Sequence, residues 1–469
     1  MQPTSLAFKD NVKRALNDRA LQSALALAEG GFQKNRAAAA ARLPEFEALR
    51  DAAKTLKDHT LAHLDLYLEA FEQKASEAGA VVHWARDDAE ARAIILEICR
   101  KADAKSVTKS KSMVTEEIGL NEALETAGIQ PVETDLGEHI IQLAGQKPSH
   151  ILAPAFHVTK DKVSDLFAEH HGRPRVEEPE ALLGEARAFL REKYFQADVG
   201  ITGANFLIAE TGSIVLVTNE GNAELTQGLP KVHIALTGIE KVVPTLDDAF
   251  LLLRLLARSG TGQDFSAYTT LLTGPKRSAD RDGPEEFHIV LLDNGRSNML
   301  GTGFQDMLRC IRCGACMNHC PVYLTAGGHA YGWVYPGPMG AVLTPGFIGI
   351  EEGQHLPNAS TFCGRCEQVC PMRIPLPKMM RHWREDQFQK KLTPPTARYG
   401  LAIWGFFAKR PSLYQFGTTI AIAALGLLGR AKGRFRWLPL ASGWTGSRDL
   451  PAPAGTTFQA SWRKQRGRT

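Results

Sequence analysis

Cys310-Ile-Arg-Cys313-Gly-Ala-Cys316-Met-Asn-His-Cys320-Pro321 and, further on, Cys363-Gly-Arg-Cys366-Glu-Gln-Val-Cys370-Pro371 decide how the carboxyl-terminal part of this chain folds. The first run has the CxxCxxCxxxCP spacing that holds cubane iron–sulfur clusters, in which the fourth cysteine serves a neighbouring cluster. Cysteines three apart in a tight loop place three thiolates on three corners of one cubane. The fourth, fixed by the turn before proline, points to the other. Cluster 1 then takes Cys310, Cys313, Cys316 and Cys370, and cluster 2 takes Cys320, Cys363 and Cys366. Counting back by the same spacing puts the missing position of cluster 2 at Ser360. Three options stay open there: a [4Fe-4S] cluster with serine, water or substrate on its fourth iron, a [3Fe-4S] cluster, or a cysteine-derived ligand from a partner chain. The reading favours two [4Fe-4S] clusters, the second with a non-cysteine ligand.

Working outward, seven of the eight cysteines lie between Cys310 and Cys370, a crowding that in a reducing compartment argues for metal rather than disulfides. Zinc is the plainer alternative, because paired CxxC motifs also build structural zinc sites, but those close with four ligands and fit seven cysteines poorly. Cys99, inside the apolar run AIILEICRKA, reads as a small buried residue. His319 beside Cys320 reads as a solvated or supporting side chain. Arg309, Arg312 and Arg365 would offset the negative charge of thiolate-ligated iron, or else are ordinary surface charges.

The 469 residues are enough for two to four domains, and a net charge of +4 is too mild to point to nucleic acid. The amino terminus has no uninterrupted apolar core of the secretory kind, so a cytoplasmic protein is expected. The apolar stretch Gly417–Leu428 is shorter than the roughly 20 residues that span a bilayer. It is expected to be a peripheral or buried helix, with no transmembrane segment and peripheral membrane contact left open. The terminal Arg463, Lys464, Arg466 and Arg468 read as a solvated tail that can meet an acidic partner or lipid headgroups.

Residues 1–75 show Ala, Leu and charged residues at helical spacing, which predicts a helical extension. From 76 to 296, short apolar segments alternate with helical ones: AVVHWA from Ala80, SVTKS from Ser106, IQPVET from Ile129 and SHILAP from Ser149. That alternation predicts an α/β domain on a largely parallel sheet. A denser group of strands follows from Asp198 to Val243, then a helix from Thr245 to Ser259 and a strand at His288–Leu292. Residues 297–390 read as the two-cluster segment, with a long ordered loop from Ala326 to Gly353, and 391–469 as an apolar helix followed by Pro-rich extended chain.

Within the α/β part, Lys109, Ser110 and Lys111 end a predicted strand, where open sheets collect anionic ligands, and solvated lysines are the plainer reading. Glu210, Thr211 and Gly212 form a tight turn in AETGS, and Asn219–Asn222 a second polar break. Backbone amides there could hold a carboxylate or phosphate, but hairpin turns between core strands are the plainer account. No GxGxxG opens a strand–helix unit, and GTGF at Gly301 precedes the cysteine loop, so flavin or nicotinamide chemistry within this chain is not expected.

The segments KSKSMVTEEIGLNEALE (Lys109–Glu125), ETDLGEHIIQL (Glu133–Leu143), PSHILAPAFH (Pro148–His157) and ANFLIAETGSIVLVTNEGN (Ala204–Asn222), with the cysteine region and the terminal LPLASGWTGSRDLPAP, together resemble one known family. It is the iron–sulfur, B-type subunit of the bacterial lactate-utilisation system, and the three-cysteine second half with Ser360 resembles that family's pattern. The resemblance implies a lactate-utilisation (LUD) domain of the broad sugar-phosphate isomerase and CoA-transferase type, joined to an α-helical ferredoxin-type domain. It implies electron transfer in a complex oxidising L-lactate to pyruvate, with a cysteine-rich iron–sulfur protein and a second LUD protein as companions, and an electron acceptor. Two other readings stand beside it: a LUD domain that is itself catalytic or ligand-sensing with redox-sensing clusters, and a relay for another 2-hydroxy acid such as glycolate.

Overall fold

The structure, a computed structural model, describes residues 3–439, 441–445 and 448–466. Of the terminal basic residues, Arg468 lies outside them, as do Leu440, Gly446 and Ser447 of the quoted carboxyl-terminal segment. Residues 1–387 and 388–469 form two compact units.

The first unit begins with four helices, Phe8–Asn17, Arg19–Ala41, Phe46–Ala62 and Leu64–Glu77. Ten strands follow: β1 (Val81–Ala85), β2 (Ser106–Lys109), β3 (Gln130–Glu133), β4 (Val199–Thr202), β5 (Phe206–Ile208), β6 (Ser213–Thr218), β7 (Val232–Gly238), β8 (Val242–Val243), β9 (Tyr268–Leu272) and β10 (Glu286–Leu292). Six of them make a sheet in the order β1-β10-β7-β4-β2-β3, and every neighbour pair in it is parallel. The central strands β4 and β7 are buried at every residue, as a parallel sheet covered on both faces requires. A second sheet, β8-β5-β6-β9, joins β5 to β6 by an antiparallel hairpin.

The long helix Leu246–Gly260 starts from a reciprocal capping box between Thr245 and Asp248, which satisfies donors at its first turn. Its apolar residues Leu252, Leu253, Leu255 and Leu256 enter a core that also holds Ile208 and Val215 of the second sheet and Cys313, Cys320, Cys366 and Cys370. The cysteine segment and the α/β part therefore share one core.

Two expectations fail. Residues 149–154 form turns rather than a strand. Their apolar residues serve the cysteine loop instead, as shown by Leu152, whose Cδ1 lies 3.0 Å from where a Cβ on Gly314 would sit. The stretch 326–353 is not a long loop but carries the helix Gly337–Ile348 and a short one at Ile350–Gly353. Pro338 sits in the first turn, where no donor is lost, and Gly340 lets the helix approach the Tyr335 carbonyl, which a Cβ would meet at 1.6 Å.

In the second unit the helices Pro395–Ala408 and Pro411–Gly429 are followed by short paired strands, Arg434–Phe435 and Leu450–Pro451, and a helix Phe458–Arg466. The apolar stretch predicted from Gly417 thus starts earlier. The helix has 19 residues with a mean hydropathy of 1.3, long and apolar enough to cross a membrane by length and composition alone.

Candidate metal centre and adjoining cleft

The two cysteine runs adopt the same backbone. Arg312 and Phe362, each just before a CxxC cysteine, take left-handed φ values of 59° and 54°, although neither is glycine. Gly314 and Gly364 follow at 73° and 80°, and each opens a short helix, Ala315–Asn318 or Arg365–Val369. Cys370 after the second helix has φ −64° and ψ 119°, close to the −90° and 117° of Cys320 after the first. With the runs paired by these matching angles and their spacing, Cys313 corresponds to Cys363, Cys316 to Cys366, and Ser360 to Cys310. The Ser360 hydroxyl oxygen accepts a hydrogen bond from the Phe362 N–H at 3.1 Å.

All seven cysteines are unpaired thiols. Cys310, Cys313, Cys316 and Cys370 ring one apolar pocket together with Met339 and Met372. Among the described residues no three His, Cys, Asp or Glu side chains lie close enough to hold a single metal ion. Four thiols around a pocket suit a wider group, so the residues present fit a cubane. Like-charge proximity sorts the thiols in the same way: Cys313 feels Cys370 and Cys310, Cys320 feels Cys363, and Cys366 feels Cys320 and Cys363. One link, Cys366 on Cys316, joins the groups.

Burial pushes the Cys313 and Cys366 thiols up to about 12 and Cys370 up to about 11. A bound iron–sulfur group would hold these sulfurs as thiolates. Backbone N–H donors from Ala315 to Cys313, and from Met372 and Ile374 to Cys370, are already aimed at the sulfurs. Such bonds stabilise the thiolate form.

The residues that hold these loops come largely from far away in the chain. Arg50, 3% exposed, donates from Nη2 to the Cys370 and Gln368 carbonyls, both at 2.7 Å. Arg36 donates to the Val369 carbonyl at 3.0 Å. Arg309 is buried between Asp306 at 2.6 Å and Asp58 at 3.3 Å. Lys241 Nζ donates to the Cys310 carbonyl at 3.0 Å, and the Arg312 guanidinium lies 4.7 Å over the Tyr335 ring. Arg365, by contrast, is exposed, and His319 is buried with Nδ1 2.9 Å from the Ala315 carbonyl.

Beside the cysteine loop runs a buried charge network. Arg296, fully buried, donates to both Glu117 oxygens at 2.9 Å and to Glu240 at 2.7 Å. Glu117 also accepts from the Tyr335 hydroxyl at 2.5 Å. Burial alone would raise the Glu240 carboxyl, but Arg296, Lys241 and Arg312 hold it at about 2. Burial, with Lys241 close by, pushes Lys57 down to about 7, and its ammonium donates to the Glu240 and Val242 carbonyls.

A cleft of about 280 Å³ opens beyond the carboxyl ends of β2, β3, β4 and β7, where open parallel sheets place ligands. Its wall includes Ser110, Lys111, Asn219, Glu220 and Lys241, and also Arg312 and Cys313 of the cysteine loop. The sequence candidates separate here. Ser110 and Lys111 line the cleft, Lys111 paired with Asp135 at 2.9 Å. Lys109 does not: its ammonium is fully buried against Glu133 at 2.6 Å and Asn121 at 2.5 Å. Glu210, Thr211 and Gly212 form the β5–β6 hairpin turn and do not line the cleft. Glu210 accepts from the Leu246 N–H at 3.0 Å, Thr211 bonds Ser213, and Gly212, at φ 67°, would put a Cβ 2.2 Å from the Ala75 nitrogen. Sequence reasoning missed Arg36, Arg50, Lys241, Glu240 and Arg296, and nothing local in the sequence marks them, since each acts across a large separation.

Comparison with known proteins agrees with this division. A LUD domain model matches residues 68–292 and a 4Fe-4S dicluster domain model matches residues 306–374. Lactate utilization protein B of Bacillus pumilus is 44% identical over 98% of this chain and 97% of its own length. The protein of the same name from Bacillus subtilis is 42% identical, over 97% of this chain and 95% of its own. An Escherichia coli relative, the uncharacterized electron transport protein YkgF, is 42% identical over 98% and 96%. A crystal structure of a DUF162 family protein from Deinococcus radiodurans matches 49% of this chain and 98% of its own at 15% identity, with a TM-score of 0.29, too low to inform the fold. With near full-length identity to such relatives, and a LUD domain followed by an iron–sulfur dicluster domain, the chain belongs to the lactate utilization protein B family.

Proposed function

We propose that this chain is the iron–sulfur electron-relay subunit of a cytoplasmic complex that oxidises L-lactate to pyruvate. The observation that carries it is the wall shared by the thiol-ringed pocket and the cleft: Cys313 faces both. Bound clusters supply one-electron steps between a two-electron donor and another carrier. Cluster 1, a [4Fe-4S] centre, sits on Cys310, Cys313, Cys316 and Cys370. Cluster 2 sits on Cys320, Cys363 and Cys366 with Ser360 at its fourth position, a placing supported by the shared backbone of the two runs. Arg312 and Lys241 offset negative charge at cluster 1, and Arg36 and Arg50 fix the loop that carries Cys370.

The name shared by the relatives supports lactate as the fuel, and the two companion subunits and an acceptor complete the electron path. The finer architecture belongs to the same proposal: a helical extension over 1–75, a LUD domain of isomerase and CoA-transferase kind over 76–296, an α-helical ferredoxin-type domain over 297–390 and a family-specific region over 391–469. A second reading rests on the cleft itself, in which Ser110 and Lys111 seat a small anionic ligand whose presence is sensed at cluster 1.

Anaerobic iron and sulfide analysis with electron paramagnetic resonance, before and after Cys310→Ala and Cys363→Ala, tests the proposal. Two clusters lost separately support the relay. Zinc, or one cluster lost by either change, overturns it.

A further inference from the structure

Residues 388–469 carry fourteen Lys or Arg and a single acidic residue, Asp449, whereas the preceding 387 residues carry 41 Lys or Arg against 50 Asp or Glu. The same segment exposes large apolar side chains: Trp404 is 61% exposed, Phe416 68%, Leu427 77% and Leu428 74%. Scattered single apolar residues are ordinary on a soluble surface, but so many large exposed ones in one segment beside so one-sided a charge mark an interaction site. We propose that residues 388–469 seat on the surface of an anionic lipid bilayer, with the helices Pro395–Ala408 and Pro411–Gly429 lying in the headgroup boundary.

The placement of the basic residues supports a helix that lies along the interface. The helix Pro411–Gly429 holds no charged residue, but Lys409 and Arg410 stand at its start and Arg430, Lys432, Arg434 and Arg436 just after its end. The helix Phe458–Arg466 runs back beside it. Gly426, near one end, packs against Pro453 and Gly455, and Arg463 donates to Gln415 near the other. Crossing the bilayer would draw this Arg- and Lys-bearing helix toward the hydrocarbon, at a cost that charged side chains rarely meet. The 14-residue helix Pro395–Ala408 is only about 21 Å long, against a hydrocarbon core of about 30 Å. Lying flat places the apolar faces in the acyl boundary and the cations at the phosphates. Trp404, Trp437, Trp444 and Trp462, all exposed, are of the residue type that anchors at that depth. Arg410 over Phe406 at 3.8 Å and Arg448 over Trp444 at 4.2 Å keep cation and ring together there. A protein partner is the weaker occupant, because the centres of protein interfaces are depleted in Lys.

The test is anaerobic cosedimentation of the full iron-loaded chain with phosphatidylcholine vesicles, with and without phosphatidylglycerol, at low and high salt. Binding is expected only with phosphatidylglycerol, weakening as salt rises. Each Lys or Arg near such a surface strengthens partition about fivefold, so joint R430E, K432E and R436E should weaken it by about 100-fold or more. Joint L427S and L428S should weaken binding while preserving its salt dependence. Iron content and far-ultraviolet circular dichroism certify that each variant is folded, and if one is not, the lipid and salt comparison on the unsubstituted chain decides. No cosedimentation with phosphatidylglycerol overturns the proposal, as does binding that ignores lipid charge, or a concentration-dependent dimer that excludes vesicles.

Discussion

Replacing Arg296 by methionine removes the cation at the centre of the buried network and leaves two carboxylates behind. Glu117 loses two charge-assisted hydrogen bonds at 2.9 Å and keeps two neutral donors, the Tyr335 hydroxyl at 2.5 Å and the Asn294 amide at 2.7 Å, with no cation left on it. Glu240 loses one at 2.7 Å but keeps Arg312 at 3.6 Å and Lys241 at 4.0 Å. Breaking a buried ion pair by removing one partner costs about 3–5 kcal/mol, and Glu117, left buried without a cation, is the carboxylate that bears most of it. The assay is anaerobic urea unfolding of the iron-loaded protein, followed by tryptophan fluorescence. Adding Glu117→Met to Arg296→Met removes the carboxylate left without a cation, so the pair should cost less than the sum of the single changes, by about 2 kcal/mol or more. A single-variant cost below about 1 kcal/mol, the range of exposed pairs, would refute the argument, as would simple additivity.

Other outcomes follow from the same geometry. Gly260→Ala puts a Cβ 2.5 Å from the Cys313 carbonyl, so electron paramagnetic resonance should show the cluster 1 signal reduced and the cluster 2 signal retained. Lys57, held at about 7 by burial and Lys241, titrates near 10.5 when unfolded, so folding disfavours its charged form and stability gains as pH rises from 7 toward 10.5. Lys57→Met should remove about 1.4 kcal/mol per pH unit of that gain in urea titrations across the window, and an unchanged slope would contradict the burial argument. Lys109→Met strands Glu133 and should cost about 3–5 kcal/mol with iron content unaltered, whereas a ligand-binding Lys109 would lower cleft affinity at little cost in stability. Cys99→Ala should leave iron and sulfide content unchanged, because Cys99 is fully buried in an apolar core with Ile95, Val107 and Leu120 that contains none of the other seven cysteines.

The sequence signal was strongest where a local rule governs structure. Strands β1, β2, β3, β7 and β10 stand where short segments with apolar residues predicted them, most plainly β7, which is buried at every position because the sheet is covered on both faces there. SHILAP carries the same kind of run, but its apolar side chains pack on the cysteine loop, and periodicity cannot tell those two uses apart. The helix Gly337–Ile348 was hidden by its own glycines and prolines, which suit a tightly packed helix as well as a loop. At the cleft, Ser110 and Lys111 were legible as the end of a strand, while Lys109 beside them was already consumed by Glu133. Arg50, Lys241 and Arg296 left no local trace, since a single arginine or lysine in a helix or turn says nothing about a carbonyl or carboxylate that stands 56 to 320 residues away in the chain.

The hold of Arg50 on Cys370 spans 320 residues, and it sets an order of events during synthesis. At about 5–20 residues per second, Cys370 leaves the ribosome roughly 15–60 s after Arg50 does. Through that interval the early helices carry a guanidinium and an apolar face whose partners have not yet been made. Cysteines 310, 313 and 316 emerge before the fourth member of their set, so a complete four-thiol cradle exists only once nearly the whole first unit is outside. Iron delivery to this chain is therefore a late event in its birth, and a nascent chain that stalls before Cys370 can hold at most a partial cradle.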